Sequence, residues 1–177
     1  MRVFVTGATG FVGRALIPRL QRDGHAVVAW VRTPARARGP LGAEVELVHA
    51  DTAPDGLVAA IERSDAVVNL AGEPLIGGRW TAARRAVLEG SRIAVTEQLV
   101  RAMAEAKSRP RVFISGSAVG YYGDRTDELL TEASSPADDF LARLCRRWDD
   151  LVKRRWGKRC SVGHVRIEVT VGSGGDL

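Results

Sequence analysis

Short apolar runs alternate along the chain with longer segments of helical pattern. The runs are RVFVT at 2–6, AVVAWV at 26–31, VELVH at 45–49, AVVNLA at 66–71, RVFISG at 111–116 and CSVGHVRI at 160–167. Helices are predicted near 11–22, 54–63, 81–107 and 137–156. The runs lack a clean period of two, as expected of strands buried on both faces. Strands alternating with helices predict an α/β fold with a parallel sheet covered on both sides. Right-handed crossovers then favour a doubly wound, Rossmann-type sheet of strand order 3-2-1-4-5-6. PARARGPLGA at 34–43 reads as the least ordered stretch. A chain of 177 residues is long enough for one full core and short for two, so a single domain over 1–177 is expected.

The first run breaks into three glycines, VFVTGATGFVG, at Gly7, Gly10 and Gly13. In a doubly wound sheet, ligands bind beyond the carboxyl ends of the strands, where strand order reverses, and the first strand feeds that crevice. Gly7 would make the tight turn, Gly10 would let backbone approach a pyrophosphate, and Gly13 would let the helix pack on the sheet. The helix beginning near Phe11 would aim its free amides and positive dipole end at phosphate, with Thr9, Phe11 and Val12 in the same turn. The G-x-x-G-x-x-G spacing is one residue wider than the common dinucleotide fingerprint, and its position between strand and helix supplies the remaining signal.

Composition narrows the class. A hydrophobic share of 45% and a charged share of 27% suit a soluble globular protein, and no apolar run approaches the roughly 20 residues of a membrane span. Arg2 is followed by a strand and then glycines, unlike a secretory leader, so a cytoplasmic protein without membrane attachment is expected. The net charge of +5 raises the question of nucleic acid. The cations are mostly arginines scattered beside Asp and Glu, with no aromatic-interleaved stripe, so no nucleic-acid partner is expected. Cys145 and Cys160 lack metal-ligand spacing and read as reduced thiols, and no metal site is expected.

TGATGFVG at 6–13, NLAGEPLIGGRWT at 69–81 and ISGSAVGYYGD at 114–124, followed by F-x-x-x-x-C-x-x-W at Phe140, Cys145 and Trp148, resemble the extended and atypical short-chain dehydrogenase/reductases. Within that superfamily they are similar to an epimerase-like branch of NADP-binding proteins of the NAD-dependent epimerase/dehydratase group. The resemblance implies a nicotinamide dinucleotide in the pocket and a small-molecule substrate that the sequence does not identify. An NAD site usually places Asp or Glu after the second strand, whereas this chain has Arg32 there, with Arg36 and Arg38 close behind. A guanidinium suits a 2′-phosphate and can stack on adenine, so NADPH is favoured over NADH. Asp51 lies where such folds contact the adenine and reads equally as a loop or cap residue. Leu70, Ala71 and Gly72 lie where the chain passes the nicotinamide-side ribose. The resemblance also puts Ser115, Gly116, Arg92 and Arg166 at the cofactor.

Active members of the superfamily use a Ser or Thr to orient a carbonyl and a Tyr-x-x-x-Lys pair to move the proton. Ser117 stands at the serine, but the alignment puts Phe140 at the tyrosine and Leu144 at the lysine. Tyr121 and Tyr122 lie in the loop after the fifth strand and are the substitute candidates. No lysine is placed beside them, so they read equally as aromatic walls, and a weak oxidoreductase or epimerase competes with a non-catalytic dinucleotide-binding or redox-sensing module. The resemblance further implies a C-terminal substrate domain that this chain lacks, and Glu168 and Thr170 depart from the pattern. The resemblance implies a four-helix homodimer built from the helices after the fourth and fifth strands, with Ile93, Leu99, Leu141 and Leu144 as candidate anchors, which read equally as residues facing the sheet.

Overall fold

A computed structural model of the protein describes residues 1–75 and 79–168. The order is β1 (Arg2–Thr6), α1 (Phe11–Arg22), β2 (Ala26–Val31), α2 (Pro34–Leu41), β3 (Glu46–His49), α3 (Pro54–Glu62), β4 (Ala66–Asn69), α4 (Ala82–Glu105), β5 (Val112–Ala118), a 3-10 turn (Val119–Tyr121), α5 (Phe140–Trp156) and β6 (Ser161–Ile167). All pairings are parallel, and the sheet order is β3-β2-β1-β4-β5-β6. This is the doubly wound, Rossmann-like fold that the alternating pattern predicts.

Successive strand residues point to opposite faces, which divides the core in two. Val3, Val5, Val27, Ala29 and Val31 meet Ile17 of α1 and Ala37 and Leu41 of α2. Phe4, Val28, Val67 and Phe113 face the other way, onto Leu57, Ile61, Leu99, Met103, Val152 and Trp156 of α3, α4 and α5. Both faces are therefore apolar, which is why no period of two shows in the sequence.

The stretch 34–43 is a correction. It forms α2 rather than irregular loop. Pro34 occupies the first turn, where its missing amide leaves no helical bond unmade. Ala37 and Leu41, four residues apart, reach the core, and Gly42 closes the helix with φ +79°. Arg38, expected near the cofactor phosphate, instead donates through Nη1 to the carbonyls of Gly42, Ala43 and Val45 at 2.8–3.1 Å.

The expected dimer anchors are also revised. Ile93 and Leu144 pack with Trp148 inside the α4–α5 contact, Leu99 is fully buried in the main core, and Leu141 lies against Gly120. Ile93, Leu99 and Leu144 fill this chain's own interior, whereas Leu141 is half-buried. Glu168 directly follows β6, and Thr170 lies outside the described residues. No helix among the described residues is long and apolar enough to cross a membrane.

Candidate functional site

At the carboxyl end of β1 the backbone is packed so tightly that only glycine fits. Gly7 has φ +66°, and a Cβ there would lie 2.4 Å from the Leu70 carbonyl oxygen. A Cβ on Gly13 would lie 2.4 Å from the Gly7 oxygen and 2.6 Å from that of Ala8. Gly7 and Gly13 therefore hold the turn closed, while Gly10 and Thr9 are exposed at its tip. The amide of Gly10 bonds back to Gly7 at 3.0 Å and α1 begins at Phe11 with no side-chain cap. First-turn amides have no intrahelical acceptor, so Phe11, Val12 and Gly13 present unpaired donors at a positive dipole end, with no acidic residue in that turn.

The loop after β4 leans over this turn and is fastened from two sides. The Thr6 hydroxyl accepts from the Ala71 amide at 3.2 Å. Ser91 Oγ accepts from the Glu73 amide at 3.0 Å, and Arg92 Nη2 donates to the Glu73 carbonyl at 2.9 Å. Arg92 also lies against Gly72, where a Cβ would come within 3.0 Å of its guanidinium, and over the Trp148 ring. Burial lowers the Arg92 pKa, and the nearby Arg84 charge works in the same direction. Its role is thus to hold Leu70–Glu73 in place from α4. On the other side of β1, Arg32 follows β2 with its side chain 88% exposed, 3.7 Å from Glu73 Oε1. Arg36 is exposed on the first turn of α2, and Asp51 is exposed 3.8 Å from His49.

Beneath the loop runs a buried polar chain. Thr6 Oγ1 donates to Asn69 Oδ1 at 2.6 Å, and Asn69 Nδ2 donates to Thr96 Oγ1 at 2.9 Å. Trp148 Nε1 donates to the same Thr96 oxygen at 2.8 Å. The Trp148 ring lies beneath Gly116, where a Cβ would come within 3.3 Å of it. Ser115 is fully buried with its hydroxyl turned to the Gly116 carbonyl, so this stretch offers backbone rather than side chain to the crevice.

The end of β5 and β6 carries the second cluster. Ser117 pairs in register with Arg166, and Ser115 with His164. Arg166 Nη1 donates to the Tyr122 phenol oxygen at 2.8 Å, and its guanidinium stands 4.0 Å from the Tyr121 ring centroid and 5.0 Å from that of Tyr122. This corrects the expectation that the tyrosines lack a cation. The cation comes from the neighbouring strand rather than from the following helix, and it is an arginine. Asp149 of α5 faces the group, 3.8 Å from Arg166 Nη2 and 3.3 Å from His164 Nδ1. Tyr122 is 7% exposed and Ser117 4%, and the buried Ser117 hydroxyl lies beside the Cys145 thiol. Phe140 stands edge-on to Trp80, and Leu144 packs in the α4–α5 contact. Cys145 is buried, its thiol turned to the Ala118 carbonyl. Burial raises its pKa, as does the Asp149 charge, so it stays a neutral thiol. Cys160 is likewise free, and burial raises it too.

Three contributors escaped sequence reasoning. Glu73 lies within the NLAGEPLIGGRWT stretch but has no role assigned to it there, Thr96 carries no motif, and Asp149 is legible only as the residue after Trp148. No group of three or more metal-ligating side chains occurs among the described residues.

Comparison with known proteins follows this geometry. The model of the "NAD dependent epimerase/dehydratase family" matches residues 3–141. The chloroplastic epimerase family protein SDR39U1 homolog of Arabidopsis thaliana is 36% identical over 184 aligned positions, covering 99% of this chain and 50% of that protein. Epimerase family protein YfhF of Bacillus subtilis is 30% identical, covering 100% and 57%. The crystal structure of human epimerase family protein SDR39U1 (isoform 2) with NADPH superposes with a TM-score of 0.82 at 32% identity, over 99% of this chain and 56% of that one. UDP-glucuronic acid 4-epimerase from Bacillus cereus, at 20% identity and TM-score 0.77 over 94% of this chain and 56% of that one, shares the fold alone. The chain spans about half the length of the curated relatives it matches.

Proposed function

Because this chain belongs to the NAD dependent epimerase/dehydratase family, we propose that it holds NADP(H) across the carboxyl ends of β1, β2 and β4. The observation that carries the reading is the β1 turn, where Gly7 and Gly13 exclude any Cβ and bring an uncapped helix start to the switch point of the sheet. The residues fit such a group. Thr9, Gly10, Phe11 and Val12 offer backbone to a pyrophosphate, Arg32 and Arg36 a cationic end for a 2′-phosphate, and Asp51 a carboxylate beside the adenine. Leu70, Ala71 and Gly72, fixed by Arg92, line the ribose on the nicotinamide side. The NADPH in the human relative's structure supports this choice of cofactor.

A bound dihydronicotinamide would supply hydride to a carbonyl-bearing substrate. Ser117 would orient the carbonyl oxygen through its hydroxyl, released from the neighbouring Cys145 thiol. Tyr122 Oη would hand its proton to that oxygen, and the phenolate left behind would be paired with Arg166 until water returns the proton. Tyr121, stacked on the Arg166 guanidinium, forms the adjoining wall. A second reading, a dinucleotide-binding module without turnover, is favoured by Phe140 and Leu144 at the superfamily's proton-transfer positions.

Calorimetric titration with NADPH and NADH tests the cofactor. NADPH binds more tightly, and Arg32→Ala removes about tenfold of the preference, the lower end for a charge-assisted bond because Arg32 is largely in water. Equal affinities in the unmodified protein refute it. Following NADPH absorbance with a panel of aldehydes, ketones and quinones separates the two readings. Turnover abolished by Tyr122→Phe and Ser117→Ala supports the oxidoreductase. Cofactor binding with no turnover supports the binding module.

A further inference from the structure

We infer that Glu73 is a selectivity-determining residue, an internal anion that occupies Arg32 in the free protein and must be displaced by the cofactor's 2′-phosphate. The inference rests on the NADP(H) reading of the crevice. Two properties set this ion pair apart from an incidental surface contact. First, the backbones at both ends are anchored. The Glu73 backbone is pinned to α4 on either side, its amide by Ser91 and its carbonyl by Arg92, and the Arg32 carbonyl is held by His49 Nε2 at 2.9 Å. The fixed backbone keeps the Glu73 carboxylate within reach of the end of β2, where it stands 3.7 Å from the exposed Arg32 guanidinium.

Second, the pair bridges the two strands that flank β1. β2 and β4 are the neighbours of β1, and the β4 loop touches Gly7 directly. A contact from the β4 loop to the residue after β2 therefore passes over the end of β1 and its glycine turn, on the route a dinucleotide would take from one half of the crevice to the other.

Arg36 is exposed on the first turn of α2, and Asp51 is engaged by His49 at 3.8 Å. A ligand bearing a 2′-phosphate competes with Glu73 for the guanidinium, whereas one bearing a 2′-hydroxyl can bind with the Arg32–Glu73 pair intact. Glu73 thus lowers affinity for the phosphorylated cofactor selectively, through charge and not through shape.

The test is calorimetry on the full chain with NADPH, NADH, adenosine 2′,5′-bisphosphate and adenosine 5′-monophosphate, in the unmodified protein, Glu73→Gln, Arg32→Ala and the double variant. Glu73→Gln keeps the shape and removes the charge. It is expected to tighten NADPH and the 2′,5′-bisphosphate by about two- to fivefold, the range of an exposed ion pair, with a smaller change for NADH and the monophosphate. In the Arg32→Ala background the change in the NADPH-to-NADH ratio disappears, and high salt shrinks it. NADPH binding with a ratio unmoved or reduced by Glu73→Gln overturns the inference alone. Failure of every dinucleotide to bind the unmodified protein overturns the cofactor reading, and the inference with it.

Discussion

Thr96 sits where one hydroxyl serves three elements, and replacing it by valine isolates what that hydroxyl does. Its oxygen accepts from Asn69 Nδ2 at 2.9 Å and from Trp148 Nε1 at 2.8 Å, and it donates to the Arg92 carbonyl at 2.7 Å. Thr96 and Asn69 are fully buried and Trp148 is 5% exposed, so water cannot replace the lost acceptor. Valine has the same shape, so no cavity opens. Two donors are stranded instead, each at about 1–3 kcal/mol, which the extra methyl's burial offsets by under ~1 kcal/mol. The net destabilisation expected of Thr96→Val is about 3 kcal/mol, a large fraction of the ~5–15 kcal/mol that holds a domain together. Thr96→Ser keeps the hydroxyl, loses one methyl and should cost about 1 kcal/mol. Urea unfolding at unchanged slope reads both. In a double-mutant cycle, Trp148→Phe should cost less in the Thr96→Val background, because its indole donor is already stranded there. The reasoning is refuted if Thr96→Val is as stable as Thr96→Ser, since the hydroxyl would then carry no stabilisation.

Gly13→Ala forces a methyl against two backbone oxygens that cannot rotate away, so it should destabilise by at least ~2 kcal/mol or prevent folding, read by thermal melting followed by circular dichroism. Gly90, exposed midway along α4 with nothing near its Cβ position, is the opposite case: Gly90→Ala should raise stability by about 0.5–1 kcal/mol in urea titration. Cys145 makes stability depend on alkaline pH. Its folded pKa lies above the ordinary 9.0, so above that value the unfolded chain ionises while the folded thiol keeps its proton, and stability falls as pH rises. Cys145→Ala should flatten that decline above about pH 9 and leave the slope near neutrality unchanged, as measured by unfolding across a pH series.

What the sequence by itself determined is everything that depends on near neighbours. Six apolar runs separated by helical segments already imply parallel strands with crossovers, because strands buried on both faces have to be apolar throughout. Gly7, Gly10 and Gly13 announce a turn with no room for side chains, and the structure shows the atoms that leave none. Where local signals conflict, the sequence misleads: two prolines and two glycines in 34–43 imply loop, yet Pro34 starts a helix and Ala37 and Leu41 anchor it to a sheet that sequence proximity does not reveal.

The tertiary structure alone decided which distant charges meet. Arg166 reaches Tyr122 across 44 positions of chain, Arg32 reaches Glu73 across 41, and Asn69 reaches Thr96 across 27. A parallel sheet gathers the carboxyl ends of its strands at one edge, whatever length of crossover lies between them, so residues that share the crevice share no period or motif. The superfamily pattern puts a lysine four residues after a tyrosine on one helix. The fold delivers an arginine from the neighbouring strand, because the register of β5 against β6 sets Ser117 beside Arg166, and no local pattern encodes that register.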